Sequence, residues 1–180
     1  MKQWFLAVAM ASSLVGFAQS SIFDAARSGD TSRASELLRI QPDTLSAKGP
    51  GGYRPLVLAA YFDQSAFVAY LLRHGVVIDD RDGDETALQA ASYKGFHKVV
   101  EVLIRHGAPV NVRDANGSTA LHYAAMGNHG SVIQLLMEAG ANPNQRDLNE
   151  QSPLDQARLL LYTEAVELME RDYSAAKRVR

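Results

Sequence analysis

The chain has 180 residues, 18 basic and 20 acidic side chains, a formal net charge of −2 and no cysteine. That length suits one domain, and the charge offers no basic surface for nucleic acid. The missing cysteine excludes disulfides, a Cys-ligated zinc site and a lipidated N-terminal Cys, and it suits an oxidising compartment.

The first predicted element is not part of a fold. Lys2 supplies a positive start, Trp4 to Val15 is an apolar run of 12 residues, and Gly16-Phe17-Ala18 places small residues before a cut at Gln19. Residues 1–18 therefore read as a cleaved secretory signal peptide. The run is short of the roughly 20 residues that span a membrane. Ile22–Ile40 follows as a helix pair: Ile22, Phe23, Ala25 and Ala26 in the first helix, a turn at Gly29, then Ala34, Leu37 and Leu38 in the second. Arg33, Glu36 and Arg39 give it the polar outer face of a terminal cap. Gln41–Gly52 is predicted to be an irregular finger. Its Gly49-Pro50-Gly51-Gly52 lacks the spacing of a phosphate loop.

From here the chain repeats itself. Thr86-Ala87-Leu88, Thr119-Ala120-Leu121 and Ser152-Pro153-Leu154 are spaced 33 residues apart, and Arg54-Pro55-Leu56 is a looser copy 32 residues before the first. The hydroxyl residue stands where a helix N-cap is wanted, and Pro55 and Pro153 fit the first turn. Each first helix carries small residues: Ala59-Ala60, Ala90-Ala91 and Ala124-Ala125. Each second helix has helical spacing, as in Val99, Val100, Leu103 or Val132, Leu135, Leu136, and ends at Gly75, Gly107 or Gly140. An extended stretch, Val110 to Asp114, then turns at Asn116-Gly117, a strong hairpin signal. The predicted unit is two antiparallel helices and a projecting β-hairpin finger. The last unit is Ser152–Tyr173, with its second helix over Glu164–Asp172. Residues 174–180, with Lys177, Arg178 and Arg180, are expected to form a short basic tail. Self-similarity at this period implies a stacked-repeat architecture of about five helix pairs.

Leu121-His122-Tyr123-Ala124-Ala125, Gly140-Ala141-x-x-Asn144, Gly107-Ala108-x-x-Asn111 and the Ala157-Arg158 pair strongly resemble the ankyrin repeat motif. The resemblance covers roughly Ile22 to Tyr173. It implies an all-α ankyrin-repeat solenoid of about five stacked helix-turn-helix units with short β-hairpin fingers, over residues 19–173. Arg54 replaces the capping Thr, Asp84 and Glu150 stand at the finger Gly, and Val57 and Gln89 replace the His. These departures touch finger and cap geometry, not the fold.

The family's implication is a non-catalytic module that binds a partner protein through its concave face, with finger tips and first-helix ends. Carried over position by position, the partner-binding candidates are Tyr53, Tyr61, Phe62, Asp84, Glu85, Tyr93, Lys94, Ser118 and Met126. Tyr is a favoured interface residue, although some of these rings, Phe62 above all, and Leu159, at the position of Tyr61 in the last unit, could instead pack as core. Asp79 to Glu85 holds five acids and one base. It is not an EF-hand, because Ala91 falls where the bidentate Glu is needed. A solvated acidic tip is the plain reading, and a docking point for a basic partner the sharper one.

His122 belongs to the repeat motif, where the family uses it to bond neighbouring backbone. His74 and His106 sit in the last turns of second helices, and with the aromatic row they define a rival reading, a haem or metal carrier. No metal or cofactor is otherwise expected, and no catalytic motif occurs. Asn116-Gly117-Ser118 reads as turn chemistry rather than a glycosylation site. The chain is similar to small exported bacterial ankyrin-repeat proteins. With the signal segment the expectation is a periplasmic monomer, free of membrane after signal cleavage, and the resemblance implies that it supports a catalase or other oxidative-stress enzyme or gives immunity to a periplasmic toxin.

Overall fold

The computed structural model describes residues 22–49, 51–80 and 85–178. The expected signal peptide and Asp84 lie outside them. Contacts divide the chain into two compact units, one ending at Val77 and one beginning at Ile78. Among the described residues there are ten α-helices and no strand. No described helix is long and apolar enough to cross a membrane.

The first unit contains α1 (residues 22–28), α2 (Thr31–Ile40), a 3-10 turn (Pro42–Ser46), α3 (Pro55–Tyr61) and α4 (Ser65–Arg73). Asp30 caps α2 by accepting from Arg33 N at 2.9 Å. Ile22, Phe23, Ala34, Ala59, Ala60, Phe67 and Leu71 are buried. The connection read as an irregular finger contains the 3-10 turn, whose Thr44 and Leu45 are themselves buried. Gly49 follows, packed so tightly on the Phe23 ring that a Cβ there would lie 2.8 Å from it. Tyr70 closes the inner side of α4, its hydroxyl 3.0 Å from Ser35 Oγ and its ring 4.1 Å from that of His74.

The second unit holds three helix pairs: α5 (Ala87–Lys94) with α6 (His97–Arg105), α7 (Ala120–Met126) with α8 (Gly130–Glu138), and α9 (Pro153–Leu159) with α10 (Thr163–Arg178). Two- or three-residue turns join each pair, so the partners lie antiparallel. First helices pack on first helices, α5 on α7 on α9, and α8 lies between α6 and α10. The small residues explain the first layer, since Ala90, Ala91, Ala124 and Ala125 have no exposed surface. Val99, Val100, Leu103, Val132, Ile133 and Leu136 fill the second layer equally completely. Truncating Leu103 to Ala would cost about 2–5 kcal/mol on transfer and cavity terms.

Two expectations are corrected. Among the described residues the fingers contain no β-strand. Residues 110–118 form a turn organised by one side chain: Asp114 Oδ1 accepts from Asn116 N and Ser118 N, both at 2.8 Å. Asp147 Oδ1 does the same with Asn149 N and Gln151 N. The carboxylate serves two amides at once, and the backbone closes each turn, with Asp114 N donating to Ser118 O and Asp147 N to Gln151 O, both at 2.9 Å. Gly117 takes φ +77 and Glu150 takes φ +60 at the finger position. Second, α10 runs past Asp172 to Arg178, so much of the segment expected as a tail is helical.

Candidate functional site

The first-helix entrances show why the candidate side chains are held in place. Thr86 Oγ1 accepts from Gln89 N at 3.2 Å, while Gln89 Oε1 accepts from Thr86 N at 2.8 Å. The same Gln89 amide reaches the next finger, donating to Ser118 O at 3.0 Å and Val112 O at 3.2 Å. One repeat later His122 takes that role. Its Nδ1 accepts from Thr119 N at 3.0 Å and its Nε2 bonds Gln151 O at 3.2 Å. An amide donating to Nδ1 requires the neutral ring. Burial holds the His122 pKa below its usual 6.5, against an opposite pull from the Gln151 carbonyl and the charges of Asp147 and Asp114. Asp155 completes the series with Ser152. Its pKa is lowered chiefly by the Ser152 hydroxyl, with help from the Ser152 amide, Arg146 and Arg158 and against a desolvation that raises it. The replacement of His by Gln89 therefore leaves the cap geometry intact.

Successive fingers are bonded as well. Leu148 N donates to Asn116 O at 2.9 Å, and Arg113 reaches Arg146 O at 3.1 Å. Asn111 clasps the next unit through Gly140 O and Asn142 N.

In the first unit Tyr53, Tyr61 and Phe62 are all exposed, and the last two rings meet edge-on at 5.4 Å. In the second unit Tyr93, Lys94 and Met126 are exposed, and Ser118 is half-buried with its amide committed to the finger turn. Glu85 is half-buried, and burial together with the Asp114 charge raises its carboxyl pKa.

Reading the sequence missed Tyr123. Its ring lies 6.0 Å from that of Tyr93, edge to face, and its hydroxyl donates to Asp114 Oδ2 at 2.5 Å. Burial, that bond and the charges of Asp114 and Glu85 push the phenol pKa up. Also missed was His129, whose Nε2 bonds Tyr93 O at 3.1 Å. It lies so close to Gly95 that a Cβ there would fall 2.6 Å from its Nδ1. Gln64 makes the equivalent reach to Arg27 O, at 3.0 Å, in the first unit. These clasps were recoverable from position, since Gln64 and His129 each stand one residue after the left-handed turn residue.

His74 and His106 point home. Each Nδ1 lies 2.8 Å from the carbonyl four residues back in its own helix, Tyr70 O and Val102 O. Among the described residues no group of three or more His, Cys, Asp or Glu side chains is placed to hold a metal ion.

The family model for ankyrin repeats (3 copies) matches residues 22–114 and 79–147. The chain belongs to the ankyrin repeat family. Its ankyrin repeats are 37% identical over 111 residues to a probable E3 ubiquitin-protein ligase of Oryza sativa subsp. japonica, covering 60% of this chain and 22% of that protein. They are 33% identical over 109 residues to the ankyrin repeat and SAM domain-containing protein 6 of Rattus norvegicus, covering 59% and 12%. A putative ankyrin repeat protein of Fowlpox virus is 34% identical over 76 residues, 41% of this chain and 22% of that one. The chain thus matches less than a quarter of the length of these relatives. Ankyrin repeats are protein–protein interaction modules, generally without catalytic activity, so a protein partner follows from the family.

Proposed function

We propose that this ankyrin-repeat chain is an exported, periplasmic, non-catalytic binding protein that engages one protein partner through first-helix ends and finger tips. The carrying observation is the exposed side chains at those ends, Tyr61 and Phe62 within the first unit and Tyr93 and Met126 within the second, beside first helices whose packing is already completed by Ala and Leu. Large apolar groups left in water beside a full core are the usual material of an interface. The periplasmic assignment rests on the sequence of residues 1–18 and on the absence of cysteine. Cell fractionation checks it, and recovery of the chain solely from cytosol defeats it.

A pull-down from periplasmic extract tests the binding role. The bait carrying Tyr61→Ala, Phe62→Ala and Tyr93→Ala together should stay folded and lose a partner that the parent captures. Equal capture by both baits would remove these helix ends from the site. The partner's identity separates the two roles that similar exported ankyrin proteins suggest. A deletion strain sensitive to peroxide supports assistance to an oxidative-stress enzyme, and one killed by toxin-bearing sister cells supports immunity.

A further inference from the structure

In the second unit Tyr93, Met126 and Leu159 occupy one position in successive repeats, and they are 47%, 45% and 76% exposed. The last repeat adds Leu160, 44% exposed, and Leu161, 83% exposed. Leu161 is also the left-handed residue of its helix–helix turn, at φ +59. The equivalent residues are Gly95 at φ +74 and Asn128 at φ +52, types that tolerate this region. A Leu there crowds its own carbonyl and, exposed as it is, buries little in return. Strain of this kind gathers at functional positions.

The opposite end of the row is different in character. There the Tyr93 and Tyr123 rings meet edge-on, Tyr123 is tied to Asp114, and Glu85 lies close enough to Asp114 for their charges to repel. Aromatic faces attract cations, and neighbouring carboxylates complement them. An apolar patch of three leucines at one end and an anionic aromatic corner at the other specify an occupant with unlike ends.

We propose that this row docks an extended segment of a partner protein, with a basic side chain over Tyr93, Tyr123 and Glu85 and apolar side chains over Met126 and the Leu159–Leu161 turn. The inference rests on the binding-module reading above and names the chemistry of its ligand. Spacing follows from geometry. Packed helices lie about 8–10 Å apart, and a polyproline-like chain advances about 3.1 Å per residue and returns to the same face every third residue. The basic residue and the two apolar ones therefore fall three residues apart.

The test is fluorescence anisotropy on the full chain with labelled peptides that carry one Arg and two Leu at three-residue intervals, in either direction. Saturable binding is expected. Leu161→Gly combined with Leu159→Ala should weaken it about tenfold, a typical hot-spot effect, while the melting temperature holds or rises because the turn is relieved. Glu85→Gln should weaken the Arg peptide and leave a peptide with Gln in place of Arg unchanged. Equal affinity for the parent and the leucine variant would overturn the proposal. So would self-association by light scattering that the leucine variant abolishes, since the occupant would then be a second copy. If a partner is captured from extract but is neither displaced by the peptides nor affected by the leucine changes, the docking row fails and the binding-module reading stands. If nothing is captured and no peptide binds, both fail.

Discussion

Arg54 and Thr86 open first helices in the two units with nearly the same backbone. Arg54 has φ −94 and ψ 159, and Thr86 has φ −87 and ψ 161. Around that backbone the chemistry differs completely. Thr86 and Gln89 exchange two hydrogen bonds, and Gln89 ties the helix to the following finger. At the equivalent places α3 has Arg54, which makes no side-chain cap, and a buried Val57. The Arg54 guanidinium turns instead to Ser46 O, and Pro55 presets the first turn. The entry angle is therefore set by the chain path and the packing of the helix pair. The capping box adds stability and couples repeats, but it does not create the turn.

Substitutions that exchange these two entrances test that reading. The largest effect is expected for Gln89→Val, which imposes the α3 pattern on α5. It removes the partner of the buried Thr86 amide and of Val112 O, while Ser118 O keeps its bond from the Asp114 amide, and chemical denaturation should show a loss of about 2–3 kcal/mol. Thr86→Ala removes the hydroxyl alone and should cost about 1 kcal/mol by the same measurement. In the reverse direction, Arg54→Thr should gain about 0.5 kcal/mol, because it supplies a cap but gives up the Ser46 contact. A loss of stability there would show that the guanidinium, not the missing hydroxyl, governs the first unit's entrance.

The smallest effect at neutral pH is expected for His122→Gln, which writes the Gln89 solution into α7. The Gln89 geometry shows that an amide satisfies the same partners, so stability at pH 7.5 should stay within about 1 kcal/mol. Acid should separate the two proteins. Because the folded pKa of His122 is depressed, its contribution is complete above the usual 6.5 and is lost as pH falls toward the folded value. The unfolded chain binds the proton first. Thermal melts should then rank the Gln variant above the parent at pH 5, and an unchanged ranking at both pH values would place the acid sensitivity elsewhere.

Much of this architecture was legible without coordinates. The 33-residue spacing, the hydroxyl caps and the glycines after second helices rest on local rules, the role of His122 rests on the resemblance to the ankyrin motif, and each of them appears in the fold. Other features escaped for identifiable reasons. Asn116-Gly117 is a hairpin signal in isolation, yet the turn that forms is decided by Asp114 two residues earlier, which competes for the same amides. Asp114 and Tyr123 belong to one repeat, but Glu85 lies far from both in sequence, and only stacking one repeat on the next brings its charge to them. Leu161 looked like one more apolar residue until its neighbours were seen to leave it outside and its backbone was seen to be left-handed.

What the sequence alone determined was the repeat: its period, the alternation of short helices, and which faces must be buried. Those are properties of residues three, four or 33 apart, read by the same backbone rules in every unit. The tertiary structure decided which polar groups meet across repeats and which apolar side chains stay in water. Those outcomes depend on the few ångströms between one unit and the next, a distance set by the packing of Ala-rich helices and carried by no single stretch of chain.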